Sequence, residues 1–240
     1  MKDFIRLLRI VMIRFMARIS GKSLVNKGTT LIIAPHPDDE VLGCAGLIEQ
    51  CVQSNLDVYV CILTGGEASH KGCCNISQDT LKAERRKLAR TINLELGLPE
   101  ENLLLLNFSD GQISSQSPEV STLRSVIKRI NAARIYIPHQ KGEGWSDHIE
   151  AGNIVKELIK DTTIQLYEYC VWFWFYNVWK LDWDNAYLIR MNGEEHQRKL
   201  KAIHDYVTPA APCGNPYSGV LPKVFIKGSM WKNELYFKVK

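Results

Sequence analysis

The sequence predicts an α/β fold, a mostly parallel sheet with helices on both faces, preceded by a basic amphipathic N-terminal helix. Three observations carry this. Five short apolar runs alternate with four segments of helical length, which is the pattern of βαβ units. Polar loops at 64–78 and 139–147 follow strand ends, and right-handed crossovers gather such loops at one edge of the sheet. The run Leu31–Ala34 stops at Pro35, and His36, Asp38, Asp39 and Glu40 follow at once, so a dense polar cluster stands at that edge.

Taken in order, residues 2–19 carry Lys2, Arg6, Arg9, Arg14 and Arg18, with no acid after Asp3. At helical spacing Phe4, Ile5, Leu8, Val11, Met12, Phe15 and Ile19 fall on one side, Lys2, Arg6 and Arg9 opposite, and Arg14 and Arg18 near the boundary. The longest uncharged stretch, 10–13, is far too short to span a bilayer. Such a helix lies in a membrane surface, packs on the domain, or makes an oligomer contact, and amphipathicity alone does not separate these. The expected organisation is this helix, 1–22, followed by a single domain, 23–240. Strands are expected at Leu31–Ala34, Val58–Leu63, Leu103–Asn107, Ile135–Pro138 and Ile164–Tyr169, with helices near 40–53, 79–96, 119–132 and 148–160. Beyond 170 the alternation breaks. Residues 171–179 read Val-Trp-Phe-Trp-Phe-Tyr-Asn-Val-Trp. As a strand they would place Trp172 and Trp174 on one face and Phe173 and Phe175 on the other, to line a sugar cleft, touch a membrane or fill core. A helix near 194–206, a Pro- and Gly-rich loop at 208–222 and strands near 223–227 and 234–239 complete the chain.

Composition narrows the function. Apolar residues are 45% and charged residues 23% of the chain, as in ordinary globular proteins. A net charge of +4 is too mild to argue for nucleic acid, and no nucleic-acid partner is expected. Neither a G-x-G-x-x-G after the first strand nor a P-loop is present, which removes the main support for nucleotide binding. Cys44, Cys51, Cys61 and Cys170 lie in apolar runs, so reduced thiols and a cytoplasmic setting are expected, peripheral on the inner membrane face if the helix binds lipid. Cys73 and Cys74 share a polar loop, but no second cysteine pair matches them as metal ligands.

Carboxylates and an imidazole crowded into residues 36–40 need positive charge among them, and a divalent metal supplies it. A hydrolytic zinc site takes three protein ligands and leaves a position open, with a carboxylate base alongside. His36 and Asp39 can reach one ion across a turn. The best third ligand is His148, in Gly-Trp-Ser-Asp-His at the next loop of the same edge, with Asp147 placed to orient a ligand. His70 and His139 are the next candidates, and His196 and His204 read as surface or structural. The competing account is a helix cap, Asp38 or Asp39 at the N-cap with Glu40 in the first turn. That leaves His36, between two prolines, unexplained.

The stretch Pro-His-Pro-Asp-Asp-Glu after an apolar strand resembles the signature of the PIG-L/LmbE-like zinc-dependent de-N-acetylases, enzymes with a Rossmann-like fold acting on N-acetylglucosaminyl compounds. Similarity extends over most of 29–240. Leu63-Thr64-Gly65-Gly66-Glu67, Arg85-Arg86 with Leu96-Gly97, Asp110-Gly111, Asp147-His148 and a late helix with Lys199, Ala202 and Ile203 each resemble family segments. The resemblance implies His36, Asp39 and His148 as zinc ligands, Asp38 as general base, and Arg85 and Asp110 as sugar contacts. The family's second motif reads His-x-Asp-His, and Trp145 stands where its first histidine, an acid or oxyanion stabiliser, is expected. Trp145 is then a candidate substrate contact, while Asp38 returns its own proton or His139 takes over as acid. Glu40 reads as a supporting residue. The implied partner is an N-acetylated sugar conjugate, lipid-linked if the basic helix and aromatic run act together. Two other functions stay open: a non-catalytic carbohydrate-binding or scaffold protein, and a metal-dependent phosphoesterase, for which the acidic set is thin.

Overall fold

A computed structural model describes residues 2–72, 75–176 and 179–239; the Cys73–Cys74 pair lies outside them. In chain order the elements are α1 (Lys2–Ser20), β1 (Lys22–Ser23), β2 (Thr30–Ala34), α2 (Asp39–Gln53), β3 (Val58–Ile62), α3 (Gln78–Glu95), β4 (Leu103–Leu105), α4 (Glu119–Ile130), β5 (Arg134–Pro138), α5 (Ser146–Leu158), β6 (Gln165–Tyr169), β7 (Ala186–Arg190), α6 (Gly193–Val207), α7 (Lys223–Ser229) and β8 (Asn233–Lys238). Among the described residues the strands form one sheet in the order β1-β7-β8-β6-β5-β2-β3-β4. The run β6-β5-β2-β3-β4 is parallel, and β8 is antiparallel to both β6 and β7.

Every residue of β2 is buried, as a central strand covered on both faces requires. Its side chains alternate. Ile32 and Ala34 pack with α2, α3 and α6 on one face, whereas Leu31 and Ile33 pack with α4 and α5 on the other. The chain runs β2, β3, β4 to one side and then returns to place β5 on the far side of β2. The crevice between the ends of β2 and β5 is therefore a topological switch point, where ligands bind in open α/β sheets. Local signals start the helices: the Ser77 side chain caps α3, and Asn192 with Glu195 forms a capping box on α6.

Two readings differ from the structure, and two strands were not foreseen. Residues 223–229 form helix α7, not a strand: Val224, Phe225 and Gly228 are buried at helical spacing, and a short apolar run does not distinguish the two by periodicity. Residues 172–174 form a 3₁₀ turn, because the amides of Val171, Trp172 and Phe173 all donate to the Glu143 carboxylate, which alternating strand amides cannot do. Strands β1 and β7 were not foreseen. In the aromatic run, Phe173 and Trp174 are core while Trp172 is partly exposed.

Helix α1 packs inside out. It buries Arg9, Ile10, Ile13 and Ala17, and Arg6, Arg9 and Arg14 turn toward the domain while Arg18 stays exposed. Arg6 lies on the Phe175 ring and donates to Phe175 O, Arg9 donates to Phe173 O at 2.6 Å, Arg14 donates to Lys227 O and Gly228 O, and Arg18 lies over Trp231. The guanidinium plane stacks on aromatics and donates to carbonyls together, which makes arginine fit for this burial. The apolar stripe stays outside, from Met12 at 42% to Phe4 at 67% exposure.

Candidate metal centre and active site

The loop after β2 and the start of α5, which follows β5, meet at the switch point. His36 Nδ1, Asp39 Oδ2 and His148 Nε2 form a triangle with edges of 3.2, 3.2 and 3.3 Å. Ligands at about 2.0 Å around a tetrahedral zinc-sized ion stand about 3.3 Å apart, so the three atoms have the spacing of one face of such a shell. The remaining ring nitrogens are tied back. His148 Nδ1 donates to Glu143 Oε2 at 2.8 Å, and His36 Nε2 faces Asp110 Oδ1 at 3.0 Å and Asp147 Oδ2 at 3.2 Å. With those nitrogens protonated, two lone pairs and a carboxylate oxygen point at one another, an arrangement that a cation resolves. Electrostatics agrees. Burial would lower His148, but Asp39 overrides it and holds the imidazole up at about 9. Burial would raise Asp39, but His148 and His36 hold it below the usual carboxylate range. The triangle demands positive charge, and the donor set fits a divalent metal.

Asp38 sits one residue before α2 with φ 124°, a strained backbone for a side-chain-bearing residue and a frequent mark of a working site. It occupies the N-cap position, yet its side chain makes no cap hydrogen bond. Instead Asp38 Oδ2 accepts from Arg85 Nη2 at 3.1 Å. Burial pushes the Asp38 carboxyl up to about 8 against the pull of Arg85. Glu40 Oε2 accepts the Asp38 amide at 3.0 Å, and Glu40 Oε1 is held by Asn93 and Tyr206. Glu40 thus fixes the strained turn from below.

Other residues change place. Arg85, expected on the sugar, is buried and donates to Pro37 O, Gly66 O and Asp38; it clamps the turn at 37–38 and also lines the cleft. Gly66 makes room for it, because at φ 67° a Cβ there would come within 2.2 Å of the guanidinium. Asp110, also expected on the sugar, uses one oxygen on His36 and the other on the Ala68 amide. Asp147 accepts from the amides of Gly111 and Ile113 and braces His36, not its neighbour His148. His139 is not brought to the site. Its ring lies against Phe173 and Phe237, 3.8 Å from Glu168, and faces a different cavity, so it is out of reach as an acid. Trp145 is half exposed and stacks on Trp172, with ring centres 5.4 Å apart and planes within 7°. Glu143, which carries His148 and the 171–173 turn, was missed; its only sequence signal is a carboxylate between Gly142 and Gly144 in the loop after β5.

These groups open onto a cleft of about 150 Å³ lined by His36, Asp38, Asp39, Arg85, Asp110, Trp145, Trp172, Leu221 and Phe225, among others. Its floor is polar and acidic, and aromatic rings stand at its side.

Residues 31–159 match the family described as PIG-L: GlcNAc-PI de-N-acetylase. Among solved structures, the N,N'-diacetylchitobiose deacetylase of Pyrococcus horikoshii is 20% identical, with a TM-score of 0.60 over 74% of this chain and 68% of that one. A deacetylase of the teicoplanin biosynthetic pathway is 14% identical, with a TM-score of 0.66 over 88% and 97%. The A40926 pseudoaglycone deacetylase is 16% identical, with a TM-score of 0.63 over 89% and 97%. At these identities the likeness carries the fold.

Proposed function

Because the chain belongs to the PIG-L family of metal-dependent de-N-acetylases, we propose that it is a zinc-dependent hydrolase removing the acetyl group from an N-acetylglucosamine-type conjugate. One observation carries the assignment: His36, Asp39 and His148 present three lone pairs at the spacing of a tetrahedral shell while Glu143, Asp110 and Asp147 hold the outer nitrogens. Two imidazoles and one carboxylate suit zinc. Bound there, the ion would polarise the acetamide carbonyl and make water a nucleophile at neutral pH.

The side chains supply the rest. Asp38 takes a proton from the attacking water, with Arg85 orienting its carboxylate and Glu40 fixing its backbone. Water adds to the carbonyl carbon, the C–N bond breaks, and acetate and a free amino sugar result. His139 is out of reach, so the proton that the leaving amine needs comes back from Asp38, base first and acid second. Trp145 and Trp172 give the sugar a stacking wall where a histidine would otherwise stand.

Acetate release from a panel of N-acetylglucosamine conjugates tests this. Zinc-loaded protein should turn over at least one, and Asp38→Ala should keep the metal and lose about 10²-fold or more in rate. Metal binding without release from any conjugate would favour a carbohydrate-binding protein, the role that Trp145 in the histidine position supports.

The acceptor is proposed to be lipid-linked, with residues 1–22 the attachment element and 23–240 one catalytic domain. Among the described residues no helix is long and apolar enough to cross a membrane. The outward stripe of α1 supports a surface contact instead, and α1 meets Phe175, three residues beyond the cleft residue Trp172. Phe4→Ser, Leu8→Ser and Phe15→Ser together leave the packed side of α1 intact. They should abolish flotation with anionic liposomes. Unchanged flotation removes the membrane role, and a dimer dissociated by the same changes assigns the stripe to a second copy.

A further inference from the structure

His139 is not spent at the metal centre. It lines a second cavity, of about 300 Å³, that shares no lining residue with the catalytic cleft and is large enough for a small ligand. The imidazole is 5% exposed, and among the described residues its Nδ1 has no hydrogen-bond partner. Its Nε2 stands 3.8 Å from Glu168 Oε2, past hydrogen-bond distance. A buried polar ring without a partner costs free energy that a bound acceptor would return.

Four lysines reach the same cavity from four parts of the chain: Lys141 after β5, Lys156 on α5, Lys180 after the aromatic run and Lys238 at the end of β8. Lys156 is held by Glu168 at 3.0 Å. Among the described residues Lys141, Lys180 and Lys238 have no carboxylate within ion-pair distance. The other carboxylate of the lining, Asp182, accepts from Asn185 Nδ2 at 2.9 Å. Glu168 and Asp182 thus leave two of the four positive charges unmatched, and concave walls of low dielectric focus such a field. The field reaches the imidazole: burial lowers the His139 pKa, and Lys156 and Lys141 lower it further against Glu168 and Glu143.

We propose that this cavity binds a phosphoryl group, with Lys141, Lys180 and Lys238 supplying charge and His139 a hydrogen bond. A phosphate monoester carries about two negative charges near neutral pH and three strong acceptor oxygens, which matches the unmatched charge; a carboxylate brings one. Lysine binds phosphate as a point charge and needs no planar fork. The site is distinct from the catalytic centre and independent of the deacetylase assignment, but it backs onto the support of His148. The His139 ring lies 5.0 Å from that of Phe173, whose amide donates to Glu143.

The test uses zinc-loaded, full-length protein. Inorganic phosphate and glucose 6-phosphate are the soluble probes, and phosphatidylcholine vesicles containing phosphatidic acid present the same group on a lipid. The His139 ring resonance, identified by its loss in His139→Leu, should shift saturably. Response to the soluble probes upholds the site as one for a dissolved phosphorylated compound, and response to the vesicles alone upholds it as one for a lipid headgroup. Lys141→Gln, Lys180→Gln and Lys238→Gln together should weaken phosphate binding about 10-fold or more and keep the urea midpoint and the metal content. His36→Ala, which removes a proposed zinc ligand, should leave the shift in place, so a failed catalytic assignment does not touch this site. No shift with any of the three probes, or equal affinity in the lysine variant, overturns the proposal.

Discussion

Glu143 is fully buried and does two jobs, accepting from His148 Nδ1 and from the amides of Val171, Trp172 and Phe173. Glu143→Gln removes the charge that orients His148 while keeping the shape. Metal affinity should fall about 10- to 100-fold, read by competition with a chromogenic chelator, and unchanged affinity would show that the carboxylate only caps the turn. His139 gives a pH prediction. Burial lowers its pKa and Glu168 opposes that. Below about pH 6.5 the unfolded chain takes up a proton that the folded chain resists, so this residue costs stability as pH falls toward its folded pKa. His139→Leu should lose less stability than the parent between about pH 7.5 and pH 5.5 in urea unfolding, and it should retain deacetylation. A steeper loss in the variant would refute the sign. At this scale the sequence was legible where chemistry is contiguous: His36, Asp38 and Asp39 share one turn, and Asp147-His148 repeats the theme at another strand end. It was not legible for direction. Arg85 and Asp110 are the right types near the right place, but only the folded chain shows that they also grip Asp38 and His36.

Among elements, α1 departs furthest from what its pattern suggests. Helical periodicity separates an apolar from a basic side but does not say which side meets the protein. Phe173, Phe175 and Trp231 decide it, by offering ring faces and carbonyls to the guanidiniums. Arg9→Ala leaves Phe173 O without the Arg9 donor and should cost about 1–3 kcal/mol, measured as a lower urea midpoint. Lysine should not restore it, because an ammonium cannot donate and stack as a planar fork does. An unchanged midpoint would mean that α1 is held by Ile10, Ile13 and Ala17 alone. The same limit explains the misread 223–229: a run of seven residues is too short for its period to speak, and its helix is set by contacts with Trp172 and Trp174.

For the whole molecule, alternating strands and helices were enough to give the parallel core and the edge where the site forms, since short connections and crossover handedness leave few arrangements. The β7–β8 extension was not legible because it depends on a long-range antiparallel pairing, Ala186 with Phe237 through Arg190 with Asn233, that no local signal announces. The site joins β2, which pairs with β3 on one side, to β5 on the other. Removing the ion with a chelator should therefore lower the melting temperature of the whole domain. An ion at about 1,000 times its Kd contributes about 4 kcal/mol to folding, and an unaltered melting curve would show that the triangle holds no ion. The split of the triangle also has a consequence for biosynthesis. His36 and Asp39 leave the ribosome more than a hundred residues before His148, and the β2–β5 pairing is what brings the two parts together. A nascent chain stalled ahead of that point carries only two of the three proposed ligands. The full ligand set therefore exists only once the chain has been made through α5, although β6, β7 and β8 are still to follow.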